Sequence, residues 1–148
     1  MDNAVGVDII EIERVAQALA RFGDRFLRRV FTPMEAALYG RKPHELAARF
    51  AAKEAVMKAL GTGARGVAWR EIEVLPNRRG KPLVFLHGRA RERARALGLT
   101  GLDVSMSHSR HYAVAMAVGH SHPDDEGERE RWRLHLGATL RERGLLAP

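Results

Sequence analysis

The chain has 148 residues, with 45% apolar and 29% charged side chains and a formal net charge of +7, the size and balance of one ordinary folded domain. It contains no cysteine, which excludes disulfides, thiolate zinc sites and a cysteine nucleophile and fits a reducing, cytoplasmic setting. No apolar run approaches the roughly 18 residues of a membrane helix, so a membrane partner is not expected.

"MDNAVGVDII" begins with an acid and lacks the basic flank of a secretory signal. From Ala4 it alternates Val5, Val7 and Ile9 against Gly6, Asp8 and Ile10, the period of a short strand. The spacing then turns helical through Ile12, Val15, Ala16, Leu19 and Ala20, and Gly23 interrupts it. Thr32-Pro33 with Glu35 is a helix start. A helix over about 43–60 ends at Gly61, a good residue just past a helix end, and the glycine-rich "GTGARG" follows. "WREIEVL", the turn "PNRRGK" and "PLVFLHG" predict a hairpin over 69–87. "GRARERARALG" is a short charged helix. "LDVSMSHSRHYAVAMAV" is a second hairpin turning near 109–111, with Tyr112, Val114, Met116 and Val118 on one face and alanines on the other. A polar stretch after Gly119 leads to Trp132, Leu136 and Leu140, spaced for an amphipathic helix that could dock or stay free. Strands and helices in mixed order with hairpins make an α+β fold: a small antiparallel sheet of hairpins packed with helices around one long helix. The expected division is residues 1–118, with 119–148 as a linker and helical extension.

The charges are unevenly shared. From Gly119 onward five arginines face six acids, so the first 118 residues carry an excess of about +8. Such a surface expects an anionic partner. Aromatics are only 6% and none are interleaved with the basic residues, which weakens a stacking platform for single-stranded nucleic acid. A small basic nucleic-acid-binding module nevertheless stands as the rival reading, resting on charge alone.

Within "AAKEAVMKALG" (51–61), Glu54 and Lys58 are four apart. On a helical wheel Lys58 lies about 40° from Glu54, Phe50 about −40°, Ala47 about 20° and Ala51 about 60°, while Arg49 and Lys53 are roughly 100–140° away. Glu54 and Lys58 thus share the Phe50 face, either as a surface pair worth about 0.3–0.5 kcal/mol or as parts of a site. Asp8 is a second unusual carboxylate, inside an apolar strand where aspartate is depleted. It either caps the following helix or meets Glu54 to hold a hard divalent ion such as magnesium, which favours a few carboxylates together with substrate phosphates. Ser107 and His108 are adjacent, so a strand points them to opposite faces and they cannot form a nucleophile–base pair; they fit a phosphate contact or a plain turn. The "HSH" at 120–122 reads as solvated, and "GTGARG" is not a Walker loop.

Three blocks, "GVDIIEIERV" (6–15), "RFAAKEAVMKALGTG" (49–63) and "SMSHSRHYAVAMA" (105–117), together with "PNRRGKP" (76–82), resemble the 4′-phosphopantetheinyl transferases, and among them the short bacterial holo-acyl-carrier-protein synthases. The resemblance covers about residues 4–118, and the extension departs from it. It implies magnesium-dependent transfer of phosphopantetheine from coenzyme A to a serine of an acidic acyl carrier protein. Asp8 and Glu54 would then ligate magnesium, with Glu54 the first choice of general base and Lys58 beside the phosphates. Arg49, Lys53, Lys58, Gly61, Gly63, Lys81, Pro82, Ser105, Ser107 and His108 would surround coenzyme A, with Lys53 at the edge. Arg14 matches the arginine closing the family's first block and is the best carrier-protein contact; Arg21 and Arg25 join it, with Arg28 and Arg29 nearby. The resemblance also implies trimers with sites between subunits, which would explain a strand with an alanine face. A catalytically dead carrier-protein-binding relative would have lost the carboxylates, which this chain keeps.

Overall fold

The computed structural model describes residues 3–123 and 125–148, apart from the side chains of residues 64 and 65. Met1, Asp2 and, in the expected linker, Asp124 lie outside the described residues. β1 (Ala4–Glu11) leads directly into α1 (Ile12–Phe22), and Gly23 separates that helix from α2 (Asp24–Val30). α3 (Pro33–Tyr39) starts on its predicted signal. The Thr32 hydroxyl accepts from the Glu35 N–H, the Glu35 carboxylate accepts from the Thr32 N–H at 2.9 Å, and Pro33 takes the first helical position. α4 (Pro43–Leu60) ends on Gly61, whose φ of 73° is left-handed. α5 (Gly63–Gly66) is a single turn inside the glycine loop.

The strand expected from residue 69 starts later. Trp69–Glu71 form a 3₁₀ turn, closed by the Glu71 carboxylate accepting from the Ala68 N–H at 2.9 Å. β2 (Ile72–Pro76) and β3 (Pro82–Leu86) then make the first hairpin, and α6 (Gly88–Ala96) follows. β4 (Gly101–His108) and β5 (Tyr112–His120) make the second, with β5 running through the expected boundary at 118/119 before α7 (Glu126–Glu142). None of the described helices is long and apolar enough to cross a membrane.

One antiparallel sheet has the order β1-β5-β4, so β1 and β4 are its two edges. Its inner face lies on α4 and uses the small side of each strand: Gly6 and Ile10 from β1, and Ala113, Ala115 and Ala117 from β5. The approach is so close that a Cβ on Gly6 would sit 1.9 Å from the carbonyl oxygen of Ala55. The alanine face is therefore spent inside the subunit, and the trimer contact expected from it is corrected. What remains open is the larger apolar row. Val5, Val7 and Ile9 pair across the strands with Val118, Met116 and Val114, and all six are between 37% and 64% exposed.

From Leu46 to Leu60, α4 is buried at every position except Phe50, Glu54 and Lys58. These three lie at i, i+4 and i+8, a single stripe on a helix otherwise wrapped by the fold. The extension docks: Leu136 and Leu140 of α7 pack with Met34, Leu75 and Phe85, and the Trp132 indole donates to the carbonyl of Pro76 at 2.9 Å.

Candidate active site

The stripe on α4 faces β1. Lys58 reaches across, its Nζ donating to the Val7 carbonyl at 2.9 Å and pairing with Asp8 Oδ1 at 3.2 Å. The sequence left a Glu54–Lys58 surface pair and a composite site open; Lys58 has Asp8 as its ion-pair partner. Asp8 points inward from β1 with its side chain 12% exposed, rather than capping α1, whose N-cap is Glu11. Glu54 is half-buried beside it. Burial raises the Glu54 pKa above the usual carboxylate value, and the Asp8 carboxylate and its hydrogen bond raise it further; Lys58 and Arg14 pull the other way. Two carboxyl groups this close share a deficit of positive charge that a divalent ion would relieve. No set of three or more metal-ligating side chains is found among the described residues. A pair suits magnesium, which binds through one or two carboxylates plus phosphates and water.

Lys53, expected at the edge of the coenzyme A site, is not there. Its side chain is wholly buried, and Nζ donates to Glu35 Oε1 at 2.7 Å, to the Trp69 carbonyl at 3.2 Å and to the Ile72 carbonyl. Burial lowers its pKa and Glu35 partly offsets that. The wheel separated Lys53 from Glu54 correctly, but it could not tell that the far side of α4 is interior.

At the opposite edge of the sheet, β4, the N-terminal half of α4 and the first hairpin turn enclose a cavity of about 580 Å³. Arg49, Lys81, Pro82, Ser105, Ser107 and His108 all line it, so residues from three segments far apart in sequence meet there. Arg49 is nearly buried, held by Glu45 at 2.7 Å with its guanidinium over the Tyr39 ring at 3.6 Å. Its Nε is buried without a hydrogen-bond partner. The His108 ring lies 5.5 Å from that of His44, a neighbour that sequence reasoning missed because 64 positions separate them.

Gly61 and Gly63 follow Lys58 at the C-terminal end of α4, both at positive φ. Arg93 Nε donates to the Leu60 carbonyl at 2.9 Å, and its guanidinium lies beside Gly61. No sequence signal linked that arginine to the loop. Along α1, Arg14 and Arg21 border a shallow groove with Gln17 and Phe22; Phe22 is 45% exposed and the Arg21 guanidinium lies 5.1 Å from its ring centroid. Arg25 is exposed on α2 and is not among the residues lining that groove.

The α+β fold thus holds a carboxylate pair at one edge of its sheet and, at the other, a cavity bearing Arg49, Lys81, His108 and two serine hydroxyls beside Glu45 and Asp103. Residues 4–117 match the family model for the 4′-phosphopantetheinyl transferase superfamily, and the chain belongs to that family. Within it, the chain is 52% identical over 101 residues to the holo-[acyl-carrier-protein] synthase of Herpetosiphon aurantiacus, covering 64% of this chain and 80% of that protein. Among solved structures it is similar to the Helicobacter pylori holo-[acyl-carrier-protein] synthase in complex with coenzyme A, with a TM-score of 0.71, 31% identity, and 78% of this chain matched to 98% of that one. The Neisseria meningitidis holo-[acyl-carrier-protein] synthase matches with a TM-score of 0.72 and 34% identity over 78% and 96% of the two chains.

Proposed function

We propose that this chain transfers the 4′-phosphopantetheine arm of coenzyme A to a serine hydroxyl of an acyl carrier protein, releasing adenosine 3′,5′-bisphosphate. The observation that carries the reading is the meeting of Asp8, Glu54 and Lys58, from β1 and α4, on the stripe left open along the Leu46–Leu60 part of that helix. The serine oxygen forms a bond to the phosphorus that bears the pantetheine arm. The bond from that phosphorus to the bridging oxygen breaks, and the electron pair leaves on the adenosine bisphosphate. Glu54, whose pKa burial and the neighbouring Asp8 carboxylate raise above the ordinary carboxylate value, takes the serine proton. Lys58 offsets charge on the phosphates. Asp8 and Glu54 would hold a magnesium ion, which when bound neutralises charge on the pyrophosphate.

The cavity at β4 takes the adenosine and phosphate end of coenzyme A through Arg49, Lys81, Pro82, Ser105, Ser107 and His108, with Gly61 and Gly63 near the reacting phosphates. The two half-sites lie on opposite edges of one sheet, with β5 between them. A homotrimer that buries the row Val5, Val7, Ile9, Val114, Met116 and Val118 brings the β1 edge of one copy to the β4 edge of the next, and contiguous exposed apolar surface of this kind marks an interface. Arg14 and Arg21, beside the exposed Phe22, receive an acidic carrier protein, and Arg25 adds to the steering field. The transfer chemistry resides in residues 1–118, with 119–148 as an extension, and the protein works in the cytoplasm. The test is a mass measurement on apo carrier protein incubated with coenzyme A and magnesium, with and without chelator. A gain of one phosphopantetheine arm, abolished by chelator, is expected; no gain with any acidic carrier protein overturns the reading.

A further inference from the structure

Arg133 lies in the extension beyond the residues matched by the family model, yet it ends on a buried carboxylate of the transferase unit. Its Nε donates to Glu73 Oε1 at 2.6 Å, and the Glu73 side chain is wholly buried. The same oxygen faces His87 Nε2 at 3.1 Å, and Glu73 Oε2 accepts the Thr32 hydroxyl. Thr32 and Glu35 cap each other at the start of α3; Glu35 in turn holds Lys53 at 2.7 Å and accepts the Val74 N–H at 2.9 Å. Lys53 immediately precedes Glu54. A continuous run of direct hydrogen bonds therefore joins the tail helix to the residue next to the base.

We propose that Arg133 is a positioning residue for the transfer reaction: by pairing Glu73 it holds the Thr32–Glu35–Lys53 clamp that fixes the rotation of α4, and with it the aim of Glu54 at Asp8. This rests on the reading of Asp8, Glu54 and Lys58 given above. The clamp ties the Lys53 ammonium at three points, so α4 cannot turn at that level without breaking a buried ion pair. The charged and titratable groups around Glu73 are Arg133 from α7, His87 at the start of α6, Glu35 on α3 and Lys53 on α4. Of these, Arg133 alone sets a permanent cation directly on the carboxylate. Without it Glu73 is left buried near Glu35 with its charge poorly matched, and Thr32, bonded to both acids, is the group that must shift.

The experiment uses the full chain, with Arg133→Met, Arg133→Lys, Glu73→Gln and the double variant Arg133→Met/Glu73→Gln, assayed at a temperature where circular dichroism shows each one folded. Arg133→Met is expected to lower kcat about tenfold, as loss of an outer partner of a site typically does, with both KM values within about twofold. Arg133→Lys should regain most of that loss. In the Glu73→Gln background Arg133→Met should change kcat by less than about twofold, because the neutral amide needs no cation. A folded Arg133→Met with wild-type kcat, a loss confined to KM, or a loss that persists undiminished in the Glu73→Gln background overturns this proposal alone. A wild-type chain with no transfer overturns the site reading and this proposal with it.

Discussion

α4 carries two lysines five positions apart, each beside two carboxylates, and the two groups are built to opposite ends. Around Lys53 the acids are Glu35 and Glu73, and all three side chains are wholly buried. Every carboxylate oxygen there has a donor: Thr32, Lys53 and Val74 for Glu35, and Thr32, His87 and Arg133 for Glu73. Around Lys58 the acids are Asp8 and Glu54. Lys58 is 56% exposed, and Glu54 shares its hydrogen bond with another acid. The same residue types in the same motif thus make a closed clamp and an open, under-neutralised site. Satisfaction and access separate structure from chemistry here; residue identity does not.

The comparison breaks most directly at the lysines. Lys53→Met leaves Glu35 buried without its ion partner, which typically costs about 3–5 kcal/mol, a large share of a domain's total of about 5–15 kcal/mol. Chemical denaturation should register this as a large fall in midpoint at unchanged slope. Lys58→Met, at an exposed position, should lower the midpoint far less and act mainly on transfer. Equal losses of stability from both lysines would erase the contrast.

Glu54→Gln comes next. Loss of a general base, the role proposed for Glu54, typically lowers kcat by about 10²–10⁴, and the change also removes one member of a crowded acid pair. Single-turnover assays should show the loss, while the melting temperature without divalent ions stays level or rises. A fall in both would mean that Glu54 serves the fold as Glu35 does.

The sequence carried much of this and missed the rest for identifiable reasons. The bounds of α4, the two hairpin turns and the Thr32 cap are local signals, set by glycine, proline and periodicity within a few residues, and they appear where expected, although the first hairpin's leading strand begins at Ile72 and not at Trp69. The gathering of Arg49, Lys81, Ser105 and His108 around one cavity followed from the family resemblance, since no local pattern links a helix, a turn and a strand. Lys53 was misplaced because the resemblance carried it to the coenzyme A site, and a wheel ranks positions around one helix without showing which of its sides meet water. In α4, whose flanks are alanine and whose neighbours approach to backbone distance at Gly6, interior surrounds it on nearly every side. The alanine face of β5 was misassigned for a related reason: small side chains permit close packing within a subunit as well as between subunits. The docking of α7 depends on Glu73 and Pro76, roughly 60 positions away, a separation that periodicity cannot span.

The smallest expected effect is the most discriminating, because the two acid groups should respond to pH with opposite signs. In the closed clamp, burial alone would raise the Glu73 pKa, but the hydrogen bonds from His87, Arg133 and Thr32 win and hold it at about 2. A depressed carboxylate contributes stability above its unfolded pKa of about 4.3, and that contribution is lost as pH falls toward 2. In the open site the Glu54 pKa is raised, so its ionised form is disfavoured on folding, and the penalty grows as pH climbs through the unfolded and folded values. Thermal melts from pH 2.5 to 8 without divalent ions should therefore show Glu73→Gln losing its deficit against wild type toward the acid end. Glu54→Gln should match wild type below the carboxylate range and exceed it above. Adding magnesium at neutral pH should raise the wild-type melting temperature while leaving Glu54→Gln nearly unmoved, since only the ionised pair offers the ion a differential gain. If both variants track wild type in parallel across the range, the carboxylates are equivalent and the division of α4 into a clamp and a reactive face is wrong.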